Sequence, residues 1–393
     1  MNAVLILTTL VFAGGWYENS TVTHTNHWEL RTDLPVDDVQ NVGELLDSCY
    51  EVYRTHLSNL PQIRNEKLEA WVFSNRKDYT ENAQSQIRGD SGVVASTSGM
   101  FINLGEGKQI LAVDASGGWK KFEETAKHEA FHQFQYSRFR STLPPWLSEG
   151  LAEYFSHSAY INGAIIPGQP TEKDIALLKR AIQNNSVTPF IDFMRMNKQE
   201  WGQRMKSSSL QYSQAWSMVH FLVHGEEGRH APEMDHFLKL IQGGMYHEEA
   251  FVKAFNTSDL VSFQNMWMEH IDQLKPGAII PTAQRLGYFA AGILKLRSLG
   301  VSVPTSMEEL AQQLEKINFG EKVRVGGEDA TFDPANQDTY TVPVDSLVTS
   351  PPKFNFTPNK HLPLLSTEGL KPKELQIEWG GTATDPAWKI TTK

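Results

Sequence analysis

The segment HEAFHQF at residues 128–134 constrains the fold and chemistry of this chain more than any other stretch. Side chains four residues apart lie on one face of an α-helix, so His128 and His132 can direct two imidazole nitrogens at a single Zn²⁺ ion. Glu129 lies about 100° round the helix from His128, where its carboxylate can act as a general base beside an open coordination position. The pattern therefore predicts a helix that carries a zinc site.

The flanking sequence supports a helix at this position. Gly117 and Gly118 precede the segment, and Pro144–Pro145, which cannot continue a helix, follow it. Between these limits apolar residues recur every four positions, at Phe122, Ala126, Ala130 and Phe134.

A second helix is predicted directly afterwards, over the sequence WLSEGLAEYF at residues 146–155. Its apolar stripe leaves Glu149 and Glu153 one turn apart on the other face. A zinc site with two histidines needs a third protein ligand, and Glu149 is placed to supply it. Glu153 could accept the distal N–H of a ligand histidine and so fix its tautomer. The alternative is that both are solvated carboxylates on an amphipathic helix.

These two motifs resemble those of the gluzincin metallopeptidases, the broad group of thermolysin-like and aminopeptidase-N-like enzymes. The metzincin pattern is excluded, because Gln135 and Arg138 stand where it needs glycine and histidine. The similarity is closest to bacterial gluzincin-like domains whose second helix reads PxWLxEGLAEY, and it extends over residues 24–274. It implies that His128, His132 and Glu149 bind zinc and that Glu129 is catalytic. It also suggests that Tyr212 stabilises the oxyanion, with a packing role as the alternative.

Three other residues could belong to chemistry. His220 and His224 share helical spacing, but His224 adjoins Gly225 and suits the C-terminal end of a helix, so a second metal site is not predicted there. His157, one turn after Glu153, is a competing but less supported ligand.

The composition agrees with a globular enzyme, and the net charge limits which classes of partner are expected. The net charge of −10 over 393 residues argues against nucleic acid or an anionic membrane as the main partner. The resemblance to metallopeptidases implies a peptide or protein substrate. Cys49 is the only cysteine; it lies in an apolar helical pattern, which predicts a buried structural thiol. The oligomeric state is not readable from the sequence.

The N-terminal segment MNAVLILTTLVFAGG has the length and apolarity of a signal peptide, although it lacks an early basic residue and a clear cleavage site. We interpret residues 1–20 as a signal peptide and expect export to the periplasm or the exterior of a bacterium. The alternative is a buried first strand in a cytoplasmic protein. No later segment is long and apolar enough to predict a membrane span.

The order of elements predicts an α+β fold. The predicted strands are 27–34, 68–75 and a pair over 92–114 joined by a Gly-Glu-Gly turn, with helices at Val36–His56 and near Arg76–Ala83. Together they form a mixed sheet (24–118) that precedes the active-site helix. A mainly helical part follows (119–274), and Pro276–Pro281 marks a boundary before a helical and β-rich C-terminal region (282–393). Later elements are predicted as follows: helices at 172–184, 212–224, 234–242, 246–255, 260–274, 283–299 and after the capping box Ser306–Glu309, and strands at KVRVGG, TYTVPV, LQIEWGG and AWKITT.

The sequence therefore predicts a zinc-dependent peptidase that uses a metal-activated water and a glutamate general base. The alternative is a protein of a different class: a zinc-binding but non-catalytic domain, or an interaction protein of the bacterial envelope. The intact Glu129 favours the enzyme.

Overall fold

The structure is a computed structural model that describes residues 15–64, 68–86, 94, 96–105, 108–139, 142–204, 209–344, 351–359, 361–382 and 385–393. Most of the predicted signal peptide, residues 1–14, lies outside these ranges, so export stays a prediction. Among the helices that the structure describes, none has the length and apolarity needed to cross a bilayer.

Helices and strands are both abundant, and the predicted α+β class is confirmed. The helices are α1 (Trp16–Asn19), α2 (Val36–His56), α3 (Arg76–Gln86), α4 (Trp119–Arg138), α5 (Pro145–Ser156), α6 (Glu172–Gln183), α7 (Phe190–Arg195), α8 (Lys198–Arg204), α9 (Leu210–Gly228), α10 (Ala231–Gln242), α11 (His247–Phe255), α12 (Leu260–Gln273), α13 (Ile279–Ser298) and α14 (Met307–Lys316). The strands are β1 (Thr21–His24), β2 (Trp28–Thr32), β3 (Leu68–Phe73), β4 (Gly99–Gly105), β5 (Lys108–Asp114), β6 (Ala159–Ile161), β7 (Ala164–Ile166), β8 (Glu321–Val325), β9 (Glu328–Phe332), β10 (Lys353–Thr357), β11 (Leu364–Glu368), β12 (Leu375–Gly381) and β13 (Pro386–Thr392).

The chain divides into two compact units, each described here by itself. The first comprises Met1–Leu143 and Asp235–Ala254, and the second comprises Pro144–Met234 and Phe255–Lys393. The domain boundary predicted at Pro276–Pro281 stays a prediction.

A five-stranded sheet in the order β1-β2-β3-β5-β4 organises the first unit. Strands β2, β3 and β5 run parallel, whereas β1 and β4 pair antiparallel at the two edges. Strand β5 is buried from Gln109 to Asp114, as expected for a central strand covered on both faces.

Helix α2 packs beside α4 and fixes its rotation. The Tyr53 ring makes an edge contact with Phe131, at 5.4 Å between centroids, and its hydroxyl donates a 2.6 Å hydrogen bond to the Lys127 carbonyl. Cys49 on the same face of α2 is fully buried, and burial raises the pKa of its thiol to about 12. Its surroundings are those of the structural thiol that the sequence predicts.

The second unit contains helices α5 to α9, interrupted after α5 by the short hairpin β6–β7, and continues through α12 into the C-terminal region. There α13 packs against the antiparallel sheet β10-β11-β12-β13 and against the hairpin β8–β9, around buried residues such as Tyr288 and Phe289. The short hairpin β6–β7 contributes Ala159, Ile161 and Ile166 to the same core. The C-terminal region thus shares one hydrophobic core with residues that directly follow α5.

Some predicted elements differ from the structure or lie partly outside its described residues. Of the pair of strands predicted over 92–114, the structure describes β4 and β5; residues 92, 93 and 95 lie outside the described ranges, and just before β4 the Arg76 guanidinium donates to the Val94 and Thr97 carbonyls. Helix α13 begins before Pro281, which occupies its first turn, where an N–H has no partner within the helix.

The segment predicted as a strand at TYTVPV is partly a 3₁₀ turn, Gln337–Tyr340, which the Asn336 side chain caps. The helix predicted to end near His224 is regular to that residue, after which Gly225, Glu226 and Glu227 leave helical geometry. The hairpin β6–β7 and strands β1, β9, β10 and β11 were not predicted.

Candidate metal centre

Helix α4 brings the two histidines of HEAFHQF together as their spacing predicts. The Nε2 atoms of His128 and His132 lie 3.1 Å apart, and the rings meet edge to face at 4.8 Å between centroids. Both side chains are half-buried and lie on a partly exposed stripe of the helix with Glu129.

The opposite face of α4 is buried, and an internal ion pair lies on it. Lys127 Nζ donates to Glu123 Oε1 at 2.8 Å, with side chains only 1% and 6% exposed. Burial raises the pKa of the Glu123 carboxyl, although Lys127 opposes the shift. Because one face of the helix is held in the core, the histidine face is held outward.

Glu129 is oriented by the edge strand β4. The Phe101 backbone N–H donates to Glu129 Oε2 at 3.0 Å. Gly99 makes this approach possible, because a Cβ there would lie 3.0 Å from Glu129 Cγ and 2.4 Å from Thr125 Cγ2. No sequence pattern predicts this contact directly, although Gly99 inside a strand is the kind of residue that marks a close backbone approach.

Helix α5 carries both glutamates, and its inner face is fixed by close packing on α9. A Cβ at Gly150 would lie 2.6 Å from the Ala215 carbonyl oxygen, so the two helices approach closely at this glycine. Trp146 and Leu147 are fully buried on the same helix. Glu149 and Glu153 remain half-buried on its other side.

His128, His132 and Glu149 form a group in which one ligand atom of each residue lies within 4.8 Å of the others. This is the one such group of three or more histidine, cysteine or acidic side chains in the described part of the chain. Zinc bonds of about 2.0–2.2 Å in tetrahedral geometry place ligand atoms roughly 3.4 Å apart. Two imidazoles and one carboxylate are the ligand set of many catalytic zinc sites, so the donor chemistry fits this ion.

Glu153 has a partner at the C-terminal cap of its helix. His157 Nε2 lies 3.4 Å from Glu153 Oε2 and 3.8 Å from an oxygen of Asp174. The predicted contact of Glu153 with His128 or His132 stays a prediction. His157, the competing ligand candidate, is not a member of the three-residue group described above.

Tyr212 lies in the first turn of α9 and is half-buried, with its ring edge-on to Trp201 at 5.6 Å between centroids. The following residue, Ser213, donates a 2.6 Å hydrogen bond to Asp174. The oxyanion role of Tyr212 stays a prediction.

A second histidine cluster in α9 and α12 is arranged differently from the metal group. His220 Nδ1 lies 3.0 Å from His270 Nε2, and the Tyr154 hydroxyl lies 2.9 Å from His224 Nε2. Burial, with nearby histidines, lowers the pKa of His220 well below its usual value and that of His270 to about 4. Both rings are therefore neutral at physiological pH and pair with each other.

Residues 123–237 match the model of a family described as a protein of unknown function, DUF1570. The match begins within α4 and includes α5 and α9, so it covers every residue that the sequence proposes for the site. No curated protein matches the chain.

Proposed function

We propose that this chain is a zinc-dependent peptidase that hydrolyses peptide bonds in a peptide or protein substrate. The observation that carries the proposal is the group formed by His128, His132 and Glu149, with the half-buried Glu129 next to His128 on the same helix. The resemblance to gluzincins supports the same assignment.

His128, His132 and Glu149 would hold the ion, and a fourth position would remain for water or substrate. Bound zinc would supply Lewis acidity. This would lower the pKa of a water molecule so that it can lose a proton and become a nucleophile near neutral pH, and it would polarise the scissile carbonyl. Glu129 would take the proton from that water and deliver it to the leaving amine. The Phe101 N–H holds one oxygen of this carboxylate and leaves the other for proton transfer.

Two further residues have assisting roles in this proposal. Glu153 would accept the distal N–H of a ligand histidine, which fixes the tautomer that leaves the other nitrogen free to bind metal. Tyr212 would donate a hydrogen bond to the oxyanion as it forms.

Strand β4 suits a peptide substrate, because it is an edge of the five-stranded sheet and its Phe101 already contacts Glu129. An extended peptide could add to such an edge through main-chain hydrogen bonds.

The test is the metal content of the purified protein. We expect about one zinc per chain, lost in His128→Ala, His132→Ala and Glu149→Ala but kept in His236→Ala, a control at an exposed histidine of α10. A wild-type protein that binds no zinc after metal reconstitution would overturn the proposal. Zinc binding without cleavage of any peptide library would favour a zinc-binding domain that is not catalytic.

A further inference from the structure

A chain of polar contacts leads from Glu153 to the interior of the second unit. His157 Nε2 stands between two carboxylates, 3.4 Å from Glu153 Oε2 and 3.8 Å from Asp174 Oδ2. Ionised carboxylates only accept hydrogen bonds, so a proton on this nitrogen is what would let His157 bind either of them. His157 therefore links α5, which carries Glu153, to Asp174 in the first turn of α6.

The His157 ring is fixed from several sides. It packs at 5.5 Å between centroids on Trp216, which is fully buried in α9. Its backbone N–H donates to the Glu153 carbonyl at 2.8 Å, and its own carbonyl accepts from Gln169 at 2.7 Å. The side chain is 18% exposed, so solvent has limited access to the contact with Glu153.

Asp174 is equally constrained. Ser213 Oγ donates to Asp174 Oδ1 at 2.6 Å, and the Thr171 hydroxyl donates to Asp174 Oδ2. The Asp174 backbone N–H donates in turn to Thr171 Oγ1, which caps α6. Because both carboxylate oxygens are engaged, Asp174 cannot turn away from His157 without breaking hydrogen bonds to α9 or to the helix cap.

We propose that His157 and Asp174 are positioning residues that hold the Glu153 carboxylate in place for a zinc-ligand histidine. This rests on the proposed function, in which Glu153 accepts the N–H of that histidine. A free glutamate side chain has several rotamers, and ordering it on metal binding costs conformational entropy. His157 restricts that freedom in advance, and Asp174 restricts His157.

The same aspartate also serves the other assisting residue. Ser213, which binds Asp174, follows Tyr212 directly in the chain. One buried carboxylate thus anchors both the histidine behind Glu153 and the helical turn that carries the proposed oxyanion residue.

The experiment measures Zn²⁺ affinity by competition with a chromophoric chelator, together with the visible absorption spectrum of the Co²⁺-loaded protein. Glu153→Ala removes the carboxylate itself, so it should show the largest loss of Zn²⁺ affinity, about 10–100-fold. We expect about tenfold weaker binding in His157→Leu, at the lower end of that range, with a shifted cobalt spectrum. His157→Gln keeps an N–H donor near the Nε2 position, so it should restore most of the affinity. Asp174→Asn should also lower the Zn²⁺ affinity. It tests the proposal if His157→Leu does not fold.

His230→Leu is the matched control. His230 Nε2 lies 3.7 Å from Glu226 in another i,i+4 pair of the second unit, with a side chain 12% exposed, and its loss should leave zinc affinity and the cobalt spectrum unchanged. Wild-type affinity in folded His157→Leu and Asp174→Asn, or equal losses in His157→Leu and His230→Leu, would overturn the positioning role and leave the proposed function intact. Failure of the wild-type protein itself to bind zinc would instead remove the proposed function.

Discussion

Glu129 combines two constraints at the scale of a single residue. It lies next to His128 on the partly exposed side of α4, and its Oε2 accepts a hydrogen bond from the edge strand β4. Neither this position nor this hydrogen bond requires a negative charge on the side chain. A glutamine can therefore occupy the position without disturbing the histidines. The substitution Glu129→Gln thus tests the proposed proton transfer separately from any structural role of this residue.

We expect Glu129→Gln to keep zinc and to lose activity by about 10²–10⁴-fold, because the amide cannot take a proton from water. His132→Ala should lose both zinc and activity. Metal stoichiometry and cleavage of a labelled peptide library measure the two quantities. Equal zinc loss in the two variants would show that Glu129 is structural.

The paired imidazoles of His220 and His270 predict a dependence of stability on pH. Burial lowers the pKa of His270 from 6.5 to about 4. Above pH 6.5 the ring is neutral in both folded and unfolded chains, so it has no effect there. As the pH falls from 6.5 to 4, only the unfolded chain binds the proton, and the free energy of unfolding decreases by on the order of 3 kcal/mol.

Urea unfolding from pH 7 to pH 4 with a chelator present measures this effect. His270→Gln, which cannot titrate, should reduce the loss of stability over that interval, whereas His24→Gln, at an exposed histidine, should leave it unchanged. The same slope in wild type and His270→Gln would contradict the assignment.

At the scale of elements, Gly150 sets the distance between α5 and α9. A Cβ at this position would lie 2.6 Å from the backbone oxygen of Ala215, which cannot rotate away. We expect Gly150→Ala to lower the free energy of unfolding by about 1–3 kcal/mol and to weaken zinc binding, because the adjacent Glu149 would move with the helix.

Gly202 in α8 provides the control, since a Cβ there meets no atom within 4 Å. Gly202→Ala should stabilise the protein by about 0.5–1 kcal/mol through the helix propensity of alanine. Chemical denaturation and zinc titration of both variants measure the contrast. A Gly150→Ala protein as stable as Gly202→Ala would show that the helices can separate without cost.

The sequence predicted the elements with strong periodicity. Helix α2 begins and ends where its pattern indicates, at Val36 and His56. Short or exposed elements were missed, because three-residue strands such as β6 and β7 carry too little periodicity. Just before β4, the Val94 and Thr97 carbonyls accept hydrogen bonds from Arg76, a contact between residues distant in the chain that no local pattern predicts.

The same division applies to the site. Local spacing predicts that His128 and His132 share a helix face, and the structure places their Nε2 atoms 3.1 Å apart. The Phe101 contact to Glu129 and the Asp174 contact to His157 join residues far apart in the chain. Helical spacing carries no information about such pairs, which only the tertiary fold brings together.

At the scale of the whole molecule, the C-terminal region packs in one hydrophobic core with the residues of the second unit that follow α5. Ile161 and Ile166 follow α5 closely and are buried beside residues of α13. A chain that ends at Leu274 keeps all proposed zinc ligands but uncovers both isoleucines. We expect it to bind zinc with a lower Tm, since each buried isoleucine contributes about 1.5–3 kcal/mol.

Ile166→Ala, made in both chains, tests the origin of that loss. It should lower the free energy of unfolding of the full chain by about 2–5 kcal/mol but affect the truncated chain little, because the partners of the side chain are already gone. Calorimetry of the full and truncated chains, each with and without Ile166→Ala, measures how much of the effect of Ile166 depends on the C-terminal region. Equal costs in both chains would show that the hairpin packs independently of the C-terminal region.

The internal pair of Lys127 and Glu123 has a consequence for how this chain can evolve. Loss of either partner alone would leave a buried charge that costs about 3–5 kcal/mol, whereas replacement of both by apolar residues can be neutral. Lys127 directly precedes His128, so an intermediate with one charge would also disturb the turn that bears a proposed ligand. Across descendants of this sequence the two positions should therefore covary, changing together or not at all.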